Sequence, residues 1–196
     1  MSLDAALQTF RLQPGTPLAQ ADPSNNTPVT LDSPALDVMT DLTLVKAATT
    51  HPATGLRQAE QTMIYQGVRM LFVVTEMPSI EGLITSSDLR GDRPMRLVQE
   101  RGLRHDDLCV ADVMTELAAL DAVELRQVTM GSVGNIVATL RRLGRFHLLV
   151  LEDATAQSRR RVRGIISLAQ VERQLGRALD VTPIASSFAE IERVLA

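Results

Sequence analysis

The chain repeats itself, and that duplication limits what it can fold into more than any other property. Asp37-Val38-Met39-Thr40 recurs as Asp112-Val113-Met114-Thr115, 75 residues further on. Leu71-Phe72-Val73-Val74 has a counterpart in Leu148-Leu149-Val150-Leu151. Gly82-Leu83-Ile84-Thr85 recurs as Gly164-Ile165-Ile166-Ser167, at an offset of 82. A sequence repeated in this way builds one supersecondary unit twice. The growing offset places insertions in the second copy, around Ala118–Ala122 and in the polar stretch Asp153–Arg161.

Within the first copy the local signals agree with one another. Ala47–Thr50 is β-compatible and stopped by Pro52. Leu56, Ala59, Met63 and Ile64 recur at helical spacing, with Gly67 as the stop. Leu71–Thr75 and Ile80–Ile84 read as buried strands joined by Glu76-Met77-Pro78-Ser79, and Thr85-Ser86-Ser87-Asp88 opens a helix. The second copy follows the same order. A strand near Val123–Val128 leads to a helix through Val133, Ile136, Val137 and Leu140 that ends at Gly144. Strands Leu148–Leu151 and Val162–Ile166 and a helix through Leu168, Val171 and Leu175 complete it. The expected division is an irregular leader over 1–36, a first repeat over 37–92, a connecting helix within 93–109, a second repeat over 110–176 and a helical tail over 177–196. The leader holds five prolines, with Val29-Thr30-Leu31 as an extended arm. The tail is amphipathic over Ala185–Val194, with Phe188, Ile191 and Leu195 on one face.

Composition narrows the function. The 196 residues are 45% hydrophobic and 22% charged, with a formal net charge of −3, which suits a globular chain and not a binder dominated by nucleic-acid phosphates. No apolar run approaches the roughly 20 residues that span a bilayer, and no basic start precedes an apolar stretch, so no signal peptide is read. The single cysteine, Cys109, fits a reducing compartment, and the expected location is cytoplasmic. Lys46 is the only lysine and follows Val45, so no GxxxxGK[ST] loop exists. His51, His105 and His147 lie far apart, there is no HExxH or CxxC, and no GxSxG or GxGxxG occurs. No metal site and no catalytic constellation is read, and the expectation is a protein that is not an enzyme.

The order DVMT, a helix ending in Gly-Val-Arg, LFVV, a hairpin and GLITSSD resembles the CBS domain, the cystathionine-β-synthase-type repeat. Two such repeats resemble a Bateman module, and the likeness covers roughly residues 37–176. It implies an α/β fold of the α+β type, in which two β-α-β-β-α units pack through their sheets about a pseudo-two-fold axis. It also implies clefts that bind AMP, ADP, ATP or S-adenosylmethionine, with no cofactor required. In that family a signature of Gly, two apolar residues, Ser or Thr, two further residues and Asp holds the ribose and phosphate. The first copy matches it through Gly82, Thr85 and Asp88, so the resemblance implies that Asp88 takes the ribose hydroxyls and Thr85 meets phosphate. The second copy has Ser167 in place but Gln170 where Asp is expected, and an amide is a poorer partner for a diol than a carboxylate. Basic residues ahead of the second strand, Arg69 in the first copy and Arg145 and His147 in the second, are the expected phosphate contacts.

Each of these residues also has a plainer reading. Thr85–Asp88 and Ser167–Gln170 both fit a helix capping box, which is compatible with ligand binding in the first copy and sufficient by itself in the second. Arg145 and His147 alternate with Phe146 along a strand, so a solvated polar face serves them equally. Arg159-Arg160-Arg161 and Arg163 read as a basic hairpin tip. The leading expectation is a regulatory module that senses an adenosine nucleotide and signals in trans to a protein effector, with no nucleic acid or membrane as partner. A homodimer is expected, because the apolar helix through Val133, Ile136, Val137 and Leu140 offers more surface than one sheet needs. The alternative is a ligand-free dimerisation and interaction module.

Overall fold

The structure, a computed structural model, describes Thr9, Arg11 and residues 13–16, 27–154 and 159–181. The helix expected over Ala185–Val194 lies outside those residues. A 3-10 turn at Ala35–Val38 leads into β1 (Thr40–Asp41), β2 (Thr49–Thr50), α1 (Leu56–Gln66), β3 (Met70–Val73), β4 (Gly82–Thr85) and α2 (Ser86–Arg90). Helices α3 (Asp92–Arg101) and α4 (Val110–Val113) connect the halves. The second half runs β5 (Thr115–Glu116), β6 (Ala122–Glu124), α5 (Leu125–Met130), α6 (Val133–Leu143), β7 (His147–Glu152), β8 (Arg161–Ser167) and α7 (Leu168–Leu175).

The duplicated unit is therefore β2-α1-β3-β4-α2 and β6-α6-β7-β8-α7. Gly67 and Gly144 stop α1 and α6 in the left-handed region, at φ 65° and 59°, where glycine carries no Cβ penalty. One expected strand is shorter than its sequence suggests. The segment Val123–Val128 turns helical after Glu124, where the Gln127 side chain reaches back to accept from the Glu124 amide at 3.2 Å, and α5 then aims Val128 at the core.

Two four-stranded sheets form, with orders β2-β3-β4-β5 and β1-β8-β7-β6. Each sheet takes its end strand from the segment that opens the other copy. Thr40 pairs with Ile165 and Asp41 with Gly164, while Thr115 pairs with Leu83 and Glu116 with Gly82. The two DVMT segments are thus exchanged arms. Val38 and Met39 pack in the core of the second repeat, and Val110 and Val113 pack in that of the first. The signature glycines make room for these arms. A Cβ at Gly82 would collide with the Thr115 carbonyl, and one at Gly164 would lie 2.7 Å from Met39 Sδ and 2.8 Å from Thr40 O.

Strand alternation divides the apolar residues between two jobs. Leu71, Val73 and Ile84 face the helices of the first repeat, and Leu148, Val150 and Ile166 face those of the second. Phe72, Val74 and Leu83 meet Leu149 and Ile165 in a third cluster that holds the two sheets together. Each such side chain contributes about 1.5–3 kcal/mol when fully buried. The surplus apolar surface expected on α6 is consumed in the same way. Val133, Ile136, Val137 and Leu140 are all buried in the core of the second repeat, so they offer no face to a second copy.

Candidate functional site

The signature of each copy ends a strand and starts a helix, so its polar residues sit where backbone N–H groups are left unpaired. In the first copy Thr85 caps α2. Its Oγ1 accepts from the Asp88 amide at 3.2 Å, and Asp88 Oδ2 accepts from the Thr85 amide and hydroxyl, both at 2.7 Å. This is a closed capping box. In the second copy Ser167 Oγ accepts from the Gln170 amide at 3.2 Å. The Gln170 carboxamide runs along α7, accepting from Arg173 Nη2 at 2.7 Å and donating to Gln174 Oε1 at 3.1 Å.

A cleft of about 640 Å³ opens between the repeats beside the second signature. One wall is the β1–β2 connection, with Leu42, Val45, Lys46, Ala47 and Ala48. A second is the turn after α1, with Val68, Arg69 and Met70. The floor and rim carry Phe72, His147, Ile165, Ser167, Ala169, Gln170 and Arg173. Small aliphatic side chains make a slot, and Lys46, Arg69 and Arg173 bring positive charge to it. No carboxylate stands among the described residues that line it, in a chain whose net charge is −3. A second cavity of about 600 Å³ adjoins it and shares Thr40, Val45 and Gln170.

His147 pairs in register with Ser167 across β7 and β8, which puts both on one side of the sheet. Burial pushes its imidazole below the ordinary histidine range. The negative charge of Asp88 opposes that shift, and the positive charge of Arg69 adds to it. His147 is thus held at the meeting point of the two repeats, within the fields of two first-copy residues.

The cleft brings Arg69, His147 and Ser167 together. Gly82, Thr85, Asp88 and Arg145 are not among its lining residues. Arg145 Nε donates instead to Asp121 at 2.9 Å. Lys46, Gln170 and Arg173 belong to the cleft but not to the set read from sequence. For Arg173 the signal was its place three residues after Gln170, one turn along the same helix face. The basic hairpin tip is largely neutralised. Arg160 lies 3.7 Å from Glu124 and 3.5 Å from Asp153, Arg161 pairs with Glu152 at 2.7 Å, and Arg163 bridges Asp41 and Glu152 at 2.8 Å each. Among the described residues no group of His, Cys, Asp and Glu is arranged to hold a metal ion, and no helix is long and apolar enough to cross a membrane.

No protein-family profile and no curated protein matches the chain; solved structures do. An uncharacterised conserved protein from Pyrococcus horikoshii is similar at 22% identity over 78% of this chain and 98% of that one, with a TM-score of 0.54. A CBS-domain pair solved with 5′-methylthioadenosine and S-adenosyl-L-methionine is similar at 19% identity, over 76% and 98%, with a TM-score of 0.50. The CBS domain of a bacterial CNNM/CorC-family Mg²⁺ transporter is similar at 18% identity, over 76% and 81%, with a TM-score of 0.51. The exchanged arms, the two sheets face to face and these likenesses define one architecture. The chain has the fold of a CBS-domain pair, two β-α-β-β-α repeats related by a pseudo-two-fold axis.

Proposed function

We propose that the chain is a regulatory module that binds an adenosine-containing nucleotide between its two repeats and transmits the bound state to a partner in trans. The observation that carries this reading is the cleft itself. It offers an aliphatic slot of Ala47, Ala48, Val68 and Ile165 beside Lys46, Arg69 and Arg173, with no lining carboxylate among the described residues. A flat base suits the slot in a chain with almost no aromatic residues, and phosphates suit the cations. The solved CBS-domain pair with 5′-methylthioadenosine and S-adenosyl-L-methionine supports the choice of an adenosine ligand.

The test is a thermal-shift panel of AMP, ADP, ATP and S-adenosylmethionine on the full chain. A ligand that binds only the folded state adds about 2.7 kcal/mol of stability at 100 times its dissociation constant. No shift with any of the four overturns the reading. A second reading, an interaction module without small ligand, is favoured by two observations. Asp88, the acid named for the ribose, is engaged in its capping box. Ile64 and Tyr65 stand side by side at 69% and 93% exposure near the end of α1. Under that reading a second copy covers this end of α1, and Tyr65→Glu converts a dimer to a monomer in light scattering.

A further inference from the structure

Among the differences between the two copies, two lie three residues apart just after the signature hydroxyl, and the second of these falls on the cap glycine that ends α2 in the first copy but inside α7 in the other. At the repeat offset of 82, Asp88 corresponds to Gln170 and Gly91 to Arg173. A carboxylate followed by a glycine has become an amide followed by an arginine. In the cleft these two act as one unit, because Arg173 Nη2 donates to Gln170 Oε1 at 2.7 Å while Gln170 Nε2 donates to Gln174. The amide oxygen that would stand in for a carboxylate is already committed to the guanidinium. What faces the cleft is a cation with five N–H donors and no acceptor.

That chemistry fits a ribose diol poorly, since the carboxylate that would accept from both hydroxyls is missing. It fits a phosphate ester well, because a guanidinium donates two parallel bonds to phosphate oxygens. The same exchange recurs in dinucleotide-binding folds, where an acid takes the free 2′-hydroxyl and an arginine takes the 2′-phosphate. Lys46 and Arg69, on the two walls of the same cleft, leave cations for a 5′-phosphate as well.

We propose that the cleft beside Ser167 selects a nucleotide whose ribose carries a phosphate on its 2′ or 3′ oxygen, with Arg173, oriented by Gln170, as the residue that reads it. This rests on the adenosine reading above and specifies its ligand.

The experiment is calorimetric titration of the full chain with adenosine 2′,5′-bisphosphate, adenosine 3′,5′-bisphosphate and ADP. All three carry two phosphates, but each bisphosphate, with two monoesters, holds about one more negative charge than ADP near neutral pH. ATP, which matches the bisphosphates in charge, is therefore titrated beside ADP and is expected to bind no more tightly than ADP. At least one bisphosphate is expected to bind tenfold or more tightly than ADP. Arg173→Gln, a change at an exposed position, reduces that ratio to within about threefold of unity, and Gln170→Asp shifts preference towards ADP. If ADP binds as tightly as both bisphosphates, the proposal falls and the adenosine reading stands. If none of the three binds, the proposal falls, and the adenosine reading falls with it when AMP, ATP and S-adenosylmethionine also give no thermal shift. If the preference survives in Arg173→Gln, the assignment to Arg173 is wrong.

Discussion

The two signature helices begin alike and end differently. Both start on a hydroxyl cap, Thr85 or Ser167. In the first copy α2 stops at Arg90, and Gly91 turns the chain into α3 with extended backbone. In the second copy the positions equivalent to Gly91 and Asp92, which are Arg173 and Gln174, continue α7 to Leu175. That extension carries a buried amide. Gln174 is 3% exposed, its Nε2 donates to the Thr27 and Asp37 carbonyls at 3.1 and 3.0 Å, and its own carbonyl accepts from the Val29 amide at 3.0 Å. The first copy thus uses its signature as a local cap. The second makes it the anchor of residues 27–38 and one wall of a cationic cleft. A repeated motif keeps its backbone job more readily than its side-chain job.

The sharpest break in this comparison is Gln174→Leu against Asp92→Ala, the equivalent first-copy site. Removing the amide takes this donor from the part-buried Thr27 and Asp37 carbonyls, at about 1–1.5 kcal/mol each, so about 2–3 kcal/mol is expected from denaturant unfolding. Asp92 is exposed in the first turn of α3, and its loss should cost under about 1 kcal/mol. Equal effects would remove the claim that the second helix alone anchors the leader.

A smaller effect separates the two signature glycines. Alanine at either position overpacks an arm, at roughly 2 kcal/mol. Gly82→Ala is expected to cost more, because its obstacle is the Thr115 backbone. At Gly164 the nearest atom is the sulfur of the flexible Met39 side chain, and the backbone obstacle, Thr40 O at 2.8 Å, is less close than Thr115 O is to Gly82. Urea titrations that gave the reverse order would mean that the first arm, not the second, is the rigidly held one.

The arms also show where sequence stops being informative. Helix stops at Gly67, Gly144 and Gly176, the hairpins and the two helical cores were legible, because glycine, alternation and 3.6-residue spacing act locally. The exchange of arms was not. A two-residue strand has no period, and the partner of Thr40 lies at Ile165, far along the chain. The candidate site divides in the same way. Thr85 and Ser167 could be read as caps from spacing alone. Lys46 and Arg173 join the cleft only when the repeats face one another, and the arginines of the hairpin tip look free until Glu124, Glu152 and Asp41 fold against them.

Acid should separate the arms by a further, smaller margin. Arg163 grips Asp41 through both carboxylate oxygens, at 2.9 and 2.8 Å. The hydrogen bond from Arg163, reinforced by the Thr43 hydroxyl and amide, holds the Asp41 carboxyl well below its ordinary value of 3.8. A carboxylate whose folded value is depressed contributes stability above the unfolded value and loses it as pH falls below that. The stability contributed by the first arm should therefore decline below about pH 4. At the equivalent site of the second arm Glu116 pairs with Gly82, and the position of Arg163 is held by Glu81, so no such clamp can form. Asp41→Asn is expected to cost about 1–2 kcal/mol at neutral pH and nothing further in acid. Hydrogen exchange that opened both arms together as pH fell would remove the distinction.

The least effect, and the one closest to function, belongs to His147. Burial lowers its affinity for a proton in the folded protein, so the unfolded chain binds more protons below the ordinary histidine value of 6.5. Its contribution to stability is therefore complete above that value and is lost as pH falls beneath it. Under the proposed function, a phosphate bound in the cleft reverses the local field. An anion beside His147 favours the imidazolium, so binding takes up a proton and affinity rises as pH falls. The first-copy residue in the same register is Met70, opposite Thr85, and it cannot titrate. The comparison then reduces to one measurement, the affinity for a phosphorylated nucleotide at about pH 5.5 and about pH 7.5. The wild type should bind more tightly at the lower pH, and His147→Gln should bind with the same affinity at both once the ligand's own titration is subtracted. A pH dependence that persists in His147→Gln would place the sensing group elsewhere and leave His147 as a packing residue between the repeats.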